Sequence, residues 1–178
     1  DQVGTIEFDA GVLTTGDNDY FGFALGYQTG DLQNPNADYY IYDWKQGTEF
    51  IGGVFAPIGS RLCRIQGAGT GNGVPDFWGC TGIGTEIARG QLAGNAGWAD
   101  NTIYRIRVTY TPTRLQVFIN GFLDLDVTGS FPVPSFSLYS HSQPQTDFTL
   151  VSPLGRSFCG LDNDGDVIGE SVDPDVDN

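Results

Sequence analysis

Residues 17–28 have the sequence DNDYFGFALGYQ, and residues 38–46 have the sequence DYYIYDWKQ. In the first segment large side chains alternate with small or polar ones, Phe21, Phe23, Leu25 and Tyr27 against Gly22, Ala24, Gly26 and Gln28. In the second segment Tyr40, Tyr42 and Trp44 fall on one face, and Tyr39, Ile41, Asp43 and Lys45 fall on the other. A period of two is typical of a β-strand with one buried face. We therefore predict two neighbouring strands joined by a polar loop.

Similar strand-like runs continue along the chain, at residues 3–8, 61–66, 84–89, 102–110, 115–119, 123–127, 135–139 and 147–151. The 26 glycines and nine prolines cluster between these runs, and no segment shows a sustained helical period. Many short strands with one-sided alternation favour two packed antiparallel sheets over a small closed barrel. We predict an all-β, two-sheet antiparallel β-sandwich of the jelly-roll type in residues 1–155, followed by an acidic C-terminal segment in residues 156–178.

The clearest local unit is a three-stranded meander in residues 104–127. Asn120 and Gly121 supply the two positive-φ residues of a tight type I′ hairpin. In the last strand of the meander, Leu123, Leu125 and Val127 alternate with Asp124 and Asp126. We expect those two aspartates to face water or an ion.

The chain of 178 residues has a net charge of -14, from eight basic and 22 acidic residues. Such a charge repels phosphate backbones and anionic membranes, so neither nucleic acid nor membrane insertion is expected. No apolar run is long enough to cross a bilayer, and we expect a soluble protein. The excess of carboxylates also suits Ca²⁺, which binds oxygen ligands.

The three cysteines bear on localisation. Cys63 and Cys80 flank a glycine-rich loop, and we favour a disulfide between them over two buried thiols. A disulfide implies a secreted, extracellular or cell-surface protein. Cys159 is either a buried thiol or a pairing site for another chain. Zinc is not expected, because the lone His141, which we place at the surface or in a loop, has no second ligand at suitable spacing.

The strongest calcium candidate lies in residues 162–173. Asp162, Asp164, Asp166 and Asp173 occupy positions 1, 3, 5 and 12 of a loop, which resembles the ligand spacing of EF-hand-like calcium loops. Val167 replaces the usual glycine at the sixth position, and the alternative is a solvated acidic linker. Asp17 and Asp19 are further metal candidates, although turn hydrogen bonding also explains them.

A ligand site is predicted beside the small residues of the first segment. Asp43 and Lys45 share a face next to the shallow groove that Gly22, Ala24 and Gly26 would open, and Trp44 on the other face is a candidate for stacking on a sugar. The alternatives are an ion pair between Asp43 and Lys45, and a Trp44 that belongs to the core, as Trp78 and Trp98 also would.

Enzymatic activity is not predicted. The glutamates Glu7, Glu49, Glu86 and Glu170 are scattered, whereas concanavalin-like glycosidases place two of them on one strand. Ser140 and Ser142 are strand neighbours of His141, not a nucleophile on a strained turn.

Four motifs carry a family resemblance: residues 17–28, 38–46, 97–104 (GWADNTIY) and 135–143 (SFSLYSHSQ). In this order they closely resemble the thrombospondin C-terminal lectin-like domain and secreted bacterial proteins that carry the same module; a weaker match lies at residues 76–78 (DFW). The resemblance implies a concanavalin-like fold, an extracellular location, frequent calcium loading and a role in adhesion.

Two functions follow as hypotheses. The first is an extracellular, calcium-binding, lectin-like module that binds a glycan or an extracellular matrix protein. The second is a structural subunit of a filament or sheath. In that case the strand at residues 4–8 would be an exposed edge, because the resemblance implies a further strand before it, and the molecules would self-associate by strand addition.

Overall fold

The computed structural model describes residues 4–69, 74–131, 135–153, 160–161 and 167–168. Its strands are β1 (Gly4–Val12), β2 (Tyr20–Leu25), β3 (Asp38–Lys45), β4 (Glu49–Ile51), β5 (Val54–Ala56), β6 (Gly59–Gln66), β7 (Gly84–Arg89), β8 (Thr102–Thr111), β9 (Arg114–Ile119), β10 (Phe122–Thr128), β11 (Phe136–His141), β12 (Thr146–Pro153), β13 (Gly160–Leu161) and β14 (Val167–Ile168). A 3₁₀ turn at Asp31–Gln33 and a π-helical turn at Val74–Trp78 are the helical pieces of this part of the chain.

Ten of these strands form two antiparallel sheets. The first sheet has the order β10-β9-β8-β1-β12, and the second sheet has the order β11-β2-β3-β6-β7. All the strands predicted from the sequence are present, and the predicted fold class, an all-β two-sheet antiparallel sandwich, is confirmed. Within the described ranges, no helix is both long and apolar enough to span a membrane.

The main core lies between the two sheets. It contains the inward side chains of β1, β8 and β9, such as Phe8, Val108 and Val117, packed against Phe23 and Tyr42 from the second sheet. The opposite face of the first sheet is only partly buried and carries alternating polar side chains. We call this solvated surface the open face.

The outer face of the second sheet is buried as well. A second apolar cluster covers it, in which Tyr20, Tyr39 and Tyr139 from the sheet pack with Trp78 and Cys80 from the chain that crosses above. We call residues 74–83 the roof. The expectation that β2 has one buried face is therefore wrong: every residue of Tyr20–Leu25 is buried, because the roof replaces water on the second face.

The predicted free edge at residues 4–8 is also wrong. β1 is an inner strand of the first sheet, hydrogen-bonded to β8 on one side and to β12 on the other. In the described part of the chain, the edges of the two sheets are β10 and β12, and β11 and β7.

The hairpins follow their turn residues. Asn120 and Gly121 have φ angles of 50° and 85°, as the type I′ prediction requires. The β4–β5 hairpin was not predicted, although Gly52 and Gly53 carry the same signal with φ angles of 55° and 85°. Its strands have only three residues each, which is too short for a visible alternation.

Candidate functional site

A groove runs along one seam of the sandwich, between the edge strands β7 and β10. Its volume is about 640 Å³, and we call it the seam groove. Polar side chains form most of its wall, with Arg89, Gln91, Arg114, Asp126 and Thr128 among them. Ala88, Leu123 and Leu125 add apolar surface. Its volume falls within the range of small-ligand sites, but its wall is more polar than the mostly apolar wall of such sites.

The best-defined polar pair of the groove joins β9 to β10. Arg114 holds the carboxylate of Asp126 in a two-pronged contact, Nε to Oδ1 at 2.8 Å and Nη2 to Oδ2 at 2.6 Å. The amide of Gln116 donates to the same Oδ2 at 3.1 Å. Hydrogen bonds from Arg114 keep the pKa of Asp126 below its usual value. Asp126 is therefore a charged hydrogen-bond acceptor at neutral pH, oriented by its contacts with Arg114 and Gln116.

Arg89 fixes the other wall of the groove. Its Nε and Nη2 each donate to the carboxylate of Glu86 at 3.0 Å, three residues earlier on β7. Its Nη1 donates to the carbonyl oxygens of Ile58 and Gly94, again at 3.0 Å. Four hydrogen bonds hold this guanidinium still, so both walls of the groove present polar groups that are already ordered.

Asp124 lies under the groove and does not face water. Its Oδ2 accepts hydrogen bonds from the hydroxyls of Tyr42 and Ser60, both at 2.7 Å. Its Oδ1 accepts from the backbone N–H groups of Leu92 at 3.1 Å and Ala93 at 2.7 Å. The expectation that Asp124 is solvated is wrong, because a bulge between Leu123 and Leu125 turns it inward. Asp126, in contrast, is exposed to water as expected.

The predicted ligand residue Asp43 lies beneath the roof. It pairs with Arg61 across the sheet, with Nε to Oδ1 at 2.9 Å and Nη2 to Oδ2 at 3.2 Å. Arg61 Nη2 also donates to the carbonyl oxygens of Phe77 and Trp78 at 2.8 Å. Burial alone would lower the pKa of Arg61, but Asp43 outweighs it and raises that pKa. The interpretation of an ion pair between Asp43 and Lys45 is therefore wrong, since Arg61 takes the carboxylate.

Lys45 is enclosed by a different set of groups. Its Nζ donates to Asp19 at 2.9 Å and to Glu49 at 3.1 Å, and it lies 4.3 Å from the centre of the Trp78 ring. Burial raises the pKa of Asp19, although the ammonium of Lys45 opposes this shift. Lys45 and Arg61 together attach the roof to the second sheet through rings and carbonyl oxygens.

The third predicted ligand residue, Trp44, belongs to the core. Its indole Nε1 donates to the carbonyl oxygen of Ala96 at 2.7 Å. Trp44, Asp43 and Lys45 are 4%, 2% and 0% exposed. A ligand therefore reaches Asp43 and Lys45 only if the roof moves, and Trp44 is enclosed between the two sheets. His141 also packs under the roof, against Trp78 and Tyr139, so its expected surface position is wrong.

The metal and cysteine predictions have different outcomes. The disulfide between Cys63 and Cys80 is present and ties the roof to β6. Asp17 caps the backbone N–H of Asn18 at 2.9 Å, while Asp19 binds Lys45. No group of three or more metal-ligating side chains is found in residues 4–69, 74–131 and 135–153. The candidates Asp162, Asp164, Asp166 and Asp173, and also Cys159, lie outside the described residues.

The sequence singled out Asp124 and Asp126 of the seam groove, as aspartates facing water or an ion, but not the residues that surround them. Arg89 and Gln91 lie far from Arg114 in the chain and meet it only when the edges of the two sheets come together. One signal was available: Arg114 and Asp126 flank the Asn120–Gly121 turn at positions that a hairpin register brings close. Pairing of this kind is predictable once the turn is recognised.

Together the fold and the groove define a two-sheet antiparallel β-sandwich with a polar site along one seam. No family model matches the chain, and no curated protein matches it significantly. Two solved structures are similar at 13% sequence identity and a TM-score of 0.45: the carbohydrate-binding module CBM66 from Bacillus subtilis, and sheep galectin-11 in complex with glycerol. The alignments cover 82% and 84% of this chain, and 65% and 86% of those chains. The chain thus spans slightly under two thirds of the CBM66 structure.

Proposed function

We propose that this protein is a non-enzymatic, lectin-like module that binds a saccharide in the seam groove. The observation that carries the proposal is the groove itself, with the two-pronged pair of Arg114 and Asp126 on one wall and Arg89 on the other. Ordered charged groups suit sugar hydroxyls, which both donate and accept hydrogen bonds. An extracellular location, supported by the disulfide, would bring such a module into contact with glycans or matrix proteins.

The two carboxylates of the groove support binding over catalysis. Glycosidases use two such groups, one of which must be protonated to act as the acid. Both oxygens of Asp124 already accept hydrogen bonds from four donors. Asp126 has a lowered pKa, which is the opposite of what a general acid needs.

Titration calorimetry with a panel of neutral oligosaccharides of two to four units tests this proposal. We expect Asp126→Asn to weaken binding about 10- to 100-fold, since an accepting charge is lost. Asp38→Asn is the matched control, because Asp38 forms an equivalent two-pronged pair with Arg64 away from the groove. Equal losses in both variants, or no binding to any member of the panel, would contradict the proposal.

A second candidate function is self-association into a filament or sheath. Strand β12 is the edge that favours it, because Leu150 and Val151 on this strand are each 41% exposed. An apolar edge strand invites pairing with another chain. Sedimentation at increasing concentration separates the candidates: Val151→Lys should abolish any assembly, and a monomer at all concentrations would count against this function.

A further inference from the structure

One arginine of the open face differs from the others. Arg61, Arg64, Arg89, Arg105 and Arg114 each form an ion pair with a carboxylate. Arg107 is the exception among the arginines that the structure describes, although the chain has 22 acidic residues. Its Nε is enclosed and has no hydrogen-bond partner. Nη1 of Arg61 is also enclosed without a partner, so the missing ion pair is what sets Arg107 apart. Because its Nε is enclosed, a ligand of Arg107 would have to bind the two Nη groups.

The neighbours of Arg107 explain why it lacks a carboxylate. Glu7 lies directly opposite on β1. Its Oε1 instead accepts from Nη1 of Arg105 at 2.9 Å, and Arg105 also holds Asp9. On the other side Arg107 faces Phe118 on β9, and its guanidinium carbon lies 4.2 Å from the centre of that ring. Stacking on an aromatic ring restricts the guanidinium to one plane without satisfying its charge.

We propose that Arg107 and Phe118 form a subsite for the carboxylate of an acidic sugar unit. A guanidinium matches a carboxylate in geometry and charge, and a preordered one loses little entropy on binding. The net charge of -14 argues against a densely charged polyanion, which the whole molecule would repel. The ligand class is therefore a saccharide with an isolated carboxylate in an otherwise neutral chain, of the uronic or sialic acid type.

This inference rests on the proposed function, because the subsite continues the seam groove. Gln116, which is bonded to Asp126 of the groove, lies two residues before Phe118 on the same face of β9. Residues two apart on a strand are separated by roughly 7 Å. One sugar unit in the groove would thus place the next unit near Arg107.

The test titrates the ¹⁵Nε–Hε signal of Arg107 with sodium glucuronate, glucose and sodium acetate, and measures affinities for sialyllactose and lactose. We expect glucuronate to shift the signal and glucose to leave it unchanged. Sialyllactose should bind at least about tenfold more tightly than lactose, because its carboxylate adds a hydrogen bond between charged groups. Arg107→Gln should abolish that preference while binding of lactose is retained. Arg64→Gln removes the same charge from an exposed site elsewhere and should change nothing.

The outcomes separate the two proposals. If lactose binds and sialyllactose binds no more tightly, the subsite proposal is wrong, while the proposal of saccharide binding in the seam groove stands. An acidic preference that survives in Arg107→Gln also overturns it, provided that thermal melting shows this variant to be folded. If acetate or a glutamate-rich peptide binds as well as glucuronate, the saccharide class is wrong. Failure of the whole panel overturns both proposals.

Phe118→Leu, which frees the guanidinium of Arg107 but keeps its charge, should lose part of the preference for the acidic sugar.

Discussion

At the scale of single residues, Asp124 shows where a sequence pattern stops being sufficient. Alternation along β10 correctly places Leu125 in the core and Asp126 in solvent, but it places Asp124 in solvent too. A bulge adds one residue to a strand, and no local sequence feature in 122–128 signals it. The four donors that compensate Asp124 come from three other segments, so only the assembled fold makes its burial favourable.

We predict that Asp124→Ala lowers the free energy of unfolding by more than about 3 kcal/mol, since it leaves several buried donors without an acceptor. Urea denaturation followed by tryptophan fluorescence measures this change. Asp126→Ala is the control, because its exposed pair with Arg114 contributes little to stability in water. If the two variants lose similar stability, Asp124 does not organise the segment around Leu92 and Ala93.

At the scale of elements, the positions of the strands were predictable from the sequence, but the roof that covers the second sheet was not. Alternation and turn residues are local, so β1 to β3 and β6 to β12 follow from the sequence. The roof does not, because residues 74–83 have no periodic pattern and are held by contacts distant in sequence, such as Tyr20 donating to the carbonyl of Trp78 at 2.6 Å. The predicted disulfide was the one local hint that this segment is tied to the sheet.

We predict that the double variant Cys63→Ser/Cys80→Ser is less stable by about 3 kcal/mol, the entropic value for closing a loop of this length. The loss should concentrate in the roof, because the disulfide connects it to β6. Hydrogen exchange at the amides of residues 76–84 should therefore accelerate more than exchange in β8. Uniform acceleration in both places would show that the disulfide stabilises the whole sandwich and does not act on the roof specifically.

The calcium loop is a second prediction at this scale. If Asp162 and Asp164 bind Ca²⁺, the ion should raise the melting temperature, as any ligand of the native state does. Asp162→Asn/Asp164→Asn should abolish that rise, since a neutral amide is a weaker ligand for a hard cation. Asp17→Asn/Asp19→Asn tests the other predicted pair in the same assay. An unchanged melting temperature of the unsubstituted protein with Ca²⁺ would refute both sites.

At the scale of the whole molecule, charge is distributed in two ways. In the described part of the chain, carboxylates such as those of Glu7 and Asp126 remain in contact with water, while the cations Lys45 and Arg61 are 0% exposed and matched by buried carboxylates. His141 lies in the same buried region under the roof. Burial, reinforced by Lys45 and Arg61, lowers the pKa of His141 to about 4. The imidazole is therefore neutral in the folded protein at neutral pH, packed between Trp78 and Tyr139.

The lowered pKa of His141 predicts how the free energy of unfolding depends on pH. The pKa of His141 is about 4 when folded, against about 6.5 for an unperturbed histidine, so between these values the unfolded chain binds the extra proton. The free energy of unfolding should consequently fall as the pH drops from 6.5 to 4, by about 3 kcal/mol from this group. Burial raises the pKa of Asp19, which acts in the opposite direction. The difference between His141→Asn and the unsubstituted protein therefore isolates the histidine: urea denaturation at several pH values should give curves that converge toward pH 4. Parallel curves would mean that His141 has the same pKa in the folded and the unfolded state.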